Sequence, residues 1–118
     1  MSVGHIASIN LECTDPPALA GFWAGMLGGD VVIDTASFAA VKVGELYVGA
    51  TLTEGYAPPT WPSAERSQQI HLDITVDDLD AAERAAIDLG AVKEPDQFNP
   101  DRARVLRDPA GHPFCLRA

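Results

Sequence analysis

Between Ile6 and Cys13 apolar and polar residues alternate. Ala7, Ile9, Leu11 and Cys13 fall on one face and Ser8, Asn10 and Glu12 on the other, which is the period of a half-buried β-strand. Asp15 follows as an acceptor for the first free N–H groups of a helix, and Pro16 suits the opening position, where an N–H would have no partner. Leu19, Phe22, Trp23, Met26 and Leu27 then recur at helical spacing and make a wide apolar stripe. Gly28 and Gly29 end the helix, and Asp30 to Ile33, Ser37 to Val43 and Leu46 to Thr53 read as three further strands. This order is βαβββ.

The same order returns in the second half. Ile9, Leu11 and Cys13 map onto Leu72, Ile74 and Val76 at a constant offset of 63 positions, which sets Ser8 against His71 and Asp15 against Asp78. Gln68 to Val76 predicts a strand, Asp78 to Leu89 a capped helix, and Ala91 to Glu94, Ala103 to Arg107 and Phe114 to Arg117 three more strands. Pro95 to Arg102 reads as a loop, and Asp108-Pro109-Ala110-Gly111 as a turn. Glu54 to Arg66, with Pro58, Pro59 and Pro62 around Trp61, breaks every periodicity and reads as the connection between modules. The expectation is a single α+β domain over residues 1–118, with module one at 1–53, connection 54–66 and module two at 67–118.

Composition narrows the partners. A chain of 118 residues that is 47% hydrophobic can bury one core. A net charge of −9 with eight Lys and Arg argues against nucleic acid and against an acidic membrane surface. No apolar run approaches the roughly 18 residues of a spanning helix, and no basic, signal-like segment opens the chain, so a cytoplasmic location is expected. Cys13 lies on the apolar face of its strand and Cys115 on a polar one, so both are expected as reduced thiols.

The polar strand faces hold the candidate chemistry. In module one Ser8, Asn10 and Glu12 share a face with Tyr47, Gly49, Thr51 and Thr53. In module two His71, Asp73 and Thr75 share one with Cys115 and Arg117. With helices over the apolar faces, a sheet that curls about its polar side makes a cleft of convergent hydrogen-bonding groups, the usual form of a small-ligand site. The plainer alternative is a polar face in water. Tyr47, Tyr56 and Trp61 offer flat surfaces for stacking, whereas Trp23 belongs to the helical stripe and reads as core.

Three segments bear a likeness to a known group: Asp15 to Trp23 with Leu27-Gly28, Ile70 to Ala82, and Arg107 to Phe114. Through them the chain resembles the vicinal oxygen chelate superfamily, the glyoxalase, bleomycin-resistance and extradiol dioxygenase group. The Pro-rich connection resembles its small glyoxalase-like branch. The resemblance implies two βαβββ modules forming a cupped eight-stranded mixed sheet, completed within one chain or across a homodimer, with a homodimer expected. It also implies four metal-ligand places, which fall on Ser8, Thr51, His71 and Cys115. Only His71 keeps the usual ligand, and Ser and Thr hydroxyls are weak donors for a catalytic divalent ion. No metal or other cofactor is therefore expected, although His71 and Cys115 with Glu12 or Asp73 compose a possible zinc set.

Two functions follow from this reading. The first is binding or sequestration of a small organic molecule by Ser8, Asn10, Tyr47, Thr51, Trp61 and Arg117, with His71 orienting it. The alternative is a lyase- or isomerase-type enzyme with His71 as general acid or base, assisted by Glu12, Asp73 or Cys115. Asp73 stands about 6–7 Å along the strand from His71, too far for an assured hydrogen bond. Cys115 serves as a nucleophile only beside a base. His5, on the opposite face near the terminus, and His112, in a turn, do not count as ligands.

Overall fold

The computed structural model describes residues 1–118 as two compact units, Met1–Tyr56 and Ala57–Ala118. In the first, strand β1 (Ser8–Cys13) leads to helix α1 (Pro16–Leu27) and then to β2 (Asp30–Asp34), β3 (Phe38–Val43) and β4 (Leu46–Leu52). The strands order as β1-β4-β3-β2, with β1 parallel to β4 and the remaining pairs antiparallel. Asp15 caps α1 by accepting from the Ala18 N–H at 3.2 Å, Pro16 occupies the opening turn, and Gly28 ends the helix at φ 69°, in the left-handed region. The apolar stripe buries Leu19, Phe22 and Trp23 against the β3 and β4 residues Val41, Val48 and Ala50. Phe22 and Trp23 meet edge to face, with ring centroids 5.1 Å apart.

The second unit repeats this plan with β5 (Leu72–Thr75), α2 (Leu79–Leu89), β6 (Val92–Lys93), β7 (Ala103–Arg107) and β8 (Pro113–Arg117), ordered β5-β8-β7-β6. Asp78 caps α2 through the Ala81 N–H at 3.0 Å, repeating Asp15. Leu79 and Ala86 of the helix are buried, as are Leu106, Phe114 and Leu116 of the sheet. The eight strands thus hydrogen-bond as four and four, one mixed sheet to each βαβββ module.

Two boundaries differ from expectation. Strand β5 covers Leu72–Thr75 rather than Gln68 to Val76, because its ladder starts at Leu72 opposite Phe114. The preceding residue on that neighbour is Pro113, which has no N–H to extend the ladder. Within the expected connection, Ala57–Arg66 belongs to the second unit. Arg107 donates to the Pro59 carbonyl at 2.8 Å and Arg66 to the Pro58 carbonyl at 3.3 Å. Gly111, at φ 84°, lies so close to Pro58 that an added Cβ would stand 2.6 Å from the proline Cβ.

Candidate functional site

The polar face of each sheet carries a hollow. In the first unit a shallow one of about 430 Å³ is lined by Ser8, Asn10, Phe38, Tyr47, Gly49 and Thr51, among others. The ladder sets Ser8 against Tyr47, Asn10 against Gly49 and Glu12 against Thr51, so the expected polar face is assembled as read. An added Cβ at Gly49 would meet the Asn10 amide oxygen, so that side chain would have to swing aside. Lys42 places its ammonium 6.0 Å from the Tyr47 ring centre.

The four ligand places implied by the resemblance treat Thr51 and Cys115 as equivalent across the repeat, and the register does not bear this out. In the second unit Asp73 stands opposite Cys115 and Thr75 opposite Arg117. With Ser8 equivalent to His71, and hence Asn10 to Asp73, the counterpart of Cys115 on β4 is Gly49, and that of Thr51 is Arg117. The offset of 63 positions at the first strands grows to 115 − 49 = 66 at the last, because the intervening segments differ in length between modules. The place symmetric to Cys115 therefore holds no side-chain donor at all.

The second unit holds the more enclosed cavity, of about 300 Å³, walled by Trp61, Gln68, His71, Asp73, Phe98, Asn99, Arg102, Cys115 and Arg117 together with apolar residues of β7 and β8. His71, just outside β5, turns its imidazole so that Nε2 lies 3.2 Å from the Asp73 Oδ1. Spacing along an ideal strand had put these groups apart. His71 lies one residue before the ladder, and its side chain spans that distance to reach Asp73. The other oxygen of Asp73 lies 3.6 Å from the Arg117 guanidinium, longer than a strong charge-assisted bond. Burial first, and then the negative charge of Asp73, push the Cys115 thiol above its ordinary range, against the opposing charge of Arg117. A thiol held in this way is protonated and weakly nucleophilic near neutral pH. Both cysteines are free thiols, Cys13 buried and Cys115 half-buried.

His71, Asp73 and Cys115 bring one nitrogen, one carboxylate oxygen and one sulfur within 4.8 Å of one another. In kind this donor set suits a borderline-soft divalent ion such as zinc. An ion would have to displace the His71–Asp73 contact and deprotonate Cys115.

Four wall residues escaped the sequence reading. In the sequence Gln68 falls in a predicted strand, while Phe98, Asn99 and Arg102 fall in a predicted loop. Phe98 carried a signal, as a lone aromatic among polar loop residues, and its ring lies 6.1 Å from that of Trp61 at a tilt of 48°. Arg102 and Gln68 carried none, since each is an ordinary polar residue in a polar segment. His112 donates its backbone N–H to the Asp108 carboxylate at 3.0 Å, in keeping with a turn role, and His5 is exposed near the terminus.

The model of the glyoxalase-like domain family matches residues 8–117. No curated protein matches the sequence. Among solved structures, the glyoxalase family protein from Enterococcus faecalis superposes with a TM-score of 0.71 at 20% identity, covering 100% of both chains. A glyoxalase/bleomycin resistance protein/dioxygenase family enzyme from Burkholderia phytofirmans PsJN superposes with a TM-score of 0.68 at 17% identity, covering 93% of this chain and 94% of the other. A mutant of the fosfomycin resistance protein FosX from Listeria monocytogenes, complexed with Mn(II) and 1S,2S-dihydroxypropylphosphonic acid, gives a TM-score of 0.73 at 16% identity, over 100% of this chain and 91% of that one. At such identities the likeness establishes the shared fold.

Proposed function

The chain belongs to the glyoxalase-like domain family of the vicinal oxygen chelate superfamily, and from that membership we propose that it binds a small organic molecule in the cavity of its second module, without need of a catalytic metal. The observation that carries this reading is the cavity of about 300 Å³, lined by the aromatic Trp61 and Phe98 together with the polar His71, Asp73 and Arg117. Apolar enclosure with a few convergent polar groups is what binds small ligands, and the volume stands at the lower end of such sites. Of the family's ligand places only His71 and Cys115 bear strong donors, which favours a polar cup over a metal centre. If an ion is held, His71, Asp73 and Cys115 hold it, and it supplies Lewis acidity to a ligand oxygen.

The contact between His71 Nε2 and Asp73 supports a second reading, catalysis by His71. A carboxylate on one ring nitrogen fixes the tautomer and leaves Nδ1 to exchange a proton with a ligand. The FosX neighbour is named for fosfomycin resistance, and at 16% identity what it shares with this chain is the fold.

The test is a fragment screen by thermal shift, with hits confirmed by quenching of Trp61 fluorescence. Saturable binding lost in Trp61→Ala is expected, and hits indifferent to Trp61, His71 and Arg117 substitutions would place the ligand elsewhere. Turnover of a bound hit that His71→Ala abolishes at unchanged affinity establishes the enzyme. Metal analysis of protein purified without chelators is expected to find well under one ion per chain. One tightly held zinc, lost in His71→Ala and Cys115→Ser, would overturn the metal-free reading.

A further inference from the structure

Resting on the reading that this cavity holds a small organic molecule, we propose that its ligand is a planar aromatic anion carrying a hydrogen-bond donor, with its acid group toward Arg102 and Arg117, its ring against Trp61 and Phe98, and its donor toward Gln68.

The charge argument comes first. The chain carries −9 overall and only eight Lys and Arg, yet the cavity wall has two arginines and a single carboxylate, Asp73. Most other basic residues are already engaged. Arg66 and Arg107 donate to carbonyls of the Pro58–Pro59 segment, while Lys93 and Arg104 pair with Glu83. None of the ion pairs of the chain engages Arg102. Arg117 holds Asp73 only at 3.6 Å and keeps donors to spare. Two planar guanidiniums at one apolar hollow in an acidic protein suit a carboxylate or a similar oxyanion.

The aromatic pair supplies shape. Trp61 and Phe98 are tilted by 48° with centroids 6.1 Å apart, so neither ring stacks flat on the other and both remain available to a flat guest. Gln68 supplies the third requirement. Its amide oxygen is buried and has no hydrogen-bond partner, and the residue lines this same cavity. A buried acceptor left unpaired is costly, and a ligand N–H or O–H at that point removes the cost.

The probe is 4-hydroxybenzoate, which combines ring, acid and donor. It is compared with 4-hydroxybenzamide, benzoate and cyclohexanecarboxylate by fluorescence titration and calorimetry on the full chain. Trp61→Phe assigns the fluorescence signal, because Trp23 is the only other tryptophan. The expected order places 4-hydroxybenzoate about 10-fold tighter than the amide, a difference that shrinks with added salt and is lost in Arg102→Gln. Benzoate should bind more weakly than 4-hydroxybenzoate in the wild type and equally in Gln68→Leu. Equal affinity for acid and amide, both dependent on Trp61, would overturn the anion assignment while leaving small-molecule binding intact. Cyclohexanecarboxylate binding as well as benzoate would overturn the planar assignment. If none of these probes binds and the fragment screen finds no Trp61-dependent hit, both readings fall.

Discussion

Burial and the carboxylate of Asp73 together hold the Cys115 thiol above its ordinary range, and Arg117 opposes them. Removing the Asp73 charge should therefore lower the thiol pKa, and Asp73→Asn is expected to speed alkylation of Cys115 by iodoacetamide several-fold at pH 8, followed by mass spectrometry. An unchanged rate would mean that burial alone governs the thiol. The same shift has a stability sign. A group that keeps its proton more tightly when folded stabilises fully below the unfolded thiol pKa, and that contribution is lost as pH rises through the folded value. Wild-type urea midpoints should thus fall more steeply in alkali than those of Cys115→Ser. The two tryptophans separate stability from binding at this scale. Trp23 is 1% exposed in the helical core, and Trp23→Ala should cost about 3–5 kcal/mol in denaturant unfolding. Trp61 lines a cavity, and Trp61→Ala should leave the midpoint almost unmoved while removing ligand binding.

Among the elements, the turn from β7 to β8 depends on Asp108. Its buried carboxylate accepts from the Ala110 N–H at 2.9 Å and the His112 N–H at 3.0 Å. Asp108→Ala leaves two backbone donors without their acceptor and should cost about 1–3 kcal/mol by urea unfolding. Helix α2 is tied to its sheet by Glu83, which meets Lys93 at 3.1 Å and Arg104 at 3.1 Å. Burial alone would raise the Glu83 pKa, but the two cationic partners outweigh it and hold the carboxyl below its ordinary value. Its stabilisation is present above the unfolded carboxylate pKa and lost as pH falls through the depressed folded value. Glu83→Gln should therefore lower the unfolding midpoint at pH 7, with the difference from wild type closing in strong acid. A difference independent of pH would point to packing instead. Both helices, with Asp15 and Asp78 as caps and Gly28 as a stop, were legible in the sequence, because caps and stripes depend on residues a few positions apart. The short β5 was not, since its start is decided by Pro113 on a strand some 40 positions away.

At the scale of the molecule, no helix is long and apolar enough to cross a membrane. The homodimer implied by the family resemblance is a proposal with a physical corollary. Two chains of −9 repel, so sedimentation should show a species of twice the 12.5 kDa chain mass whose population increases with salt, and a monomer at every salt concentration would reject it. The sequence by itself determined the twofold repeat, the βαβββ order, both helices with their caps, and the polar strand faces that hold Ser8, Asn10, Asp73 and Cys115. Each of these is written in periodicities and end signals local to the chain. Only the tertiary structure decided that Gly49 rather than Thr51 answers to Cys115, that His71 reaches Asp73, and that Trp61, Gln68, Phe98 and Arg102 close one cavity. Register between distant parallel strands and the docking of loops depend on packing across long sequence separations, which no local pattern encodes.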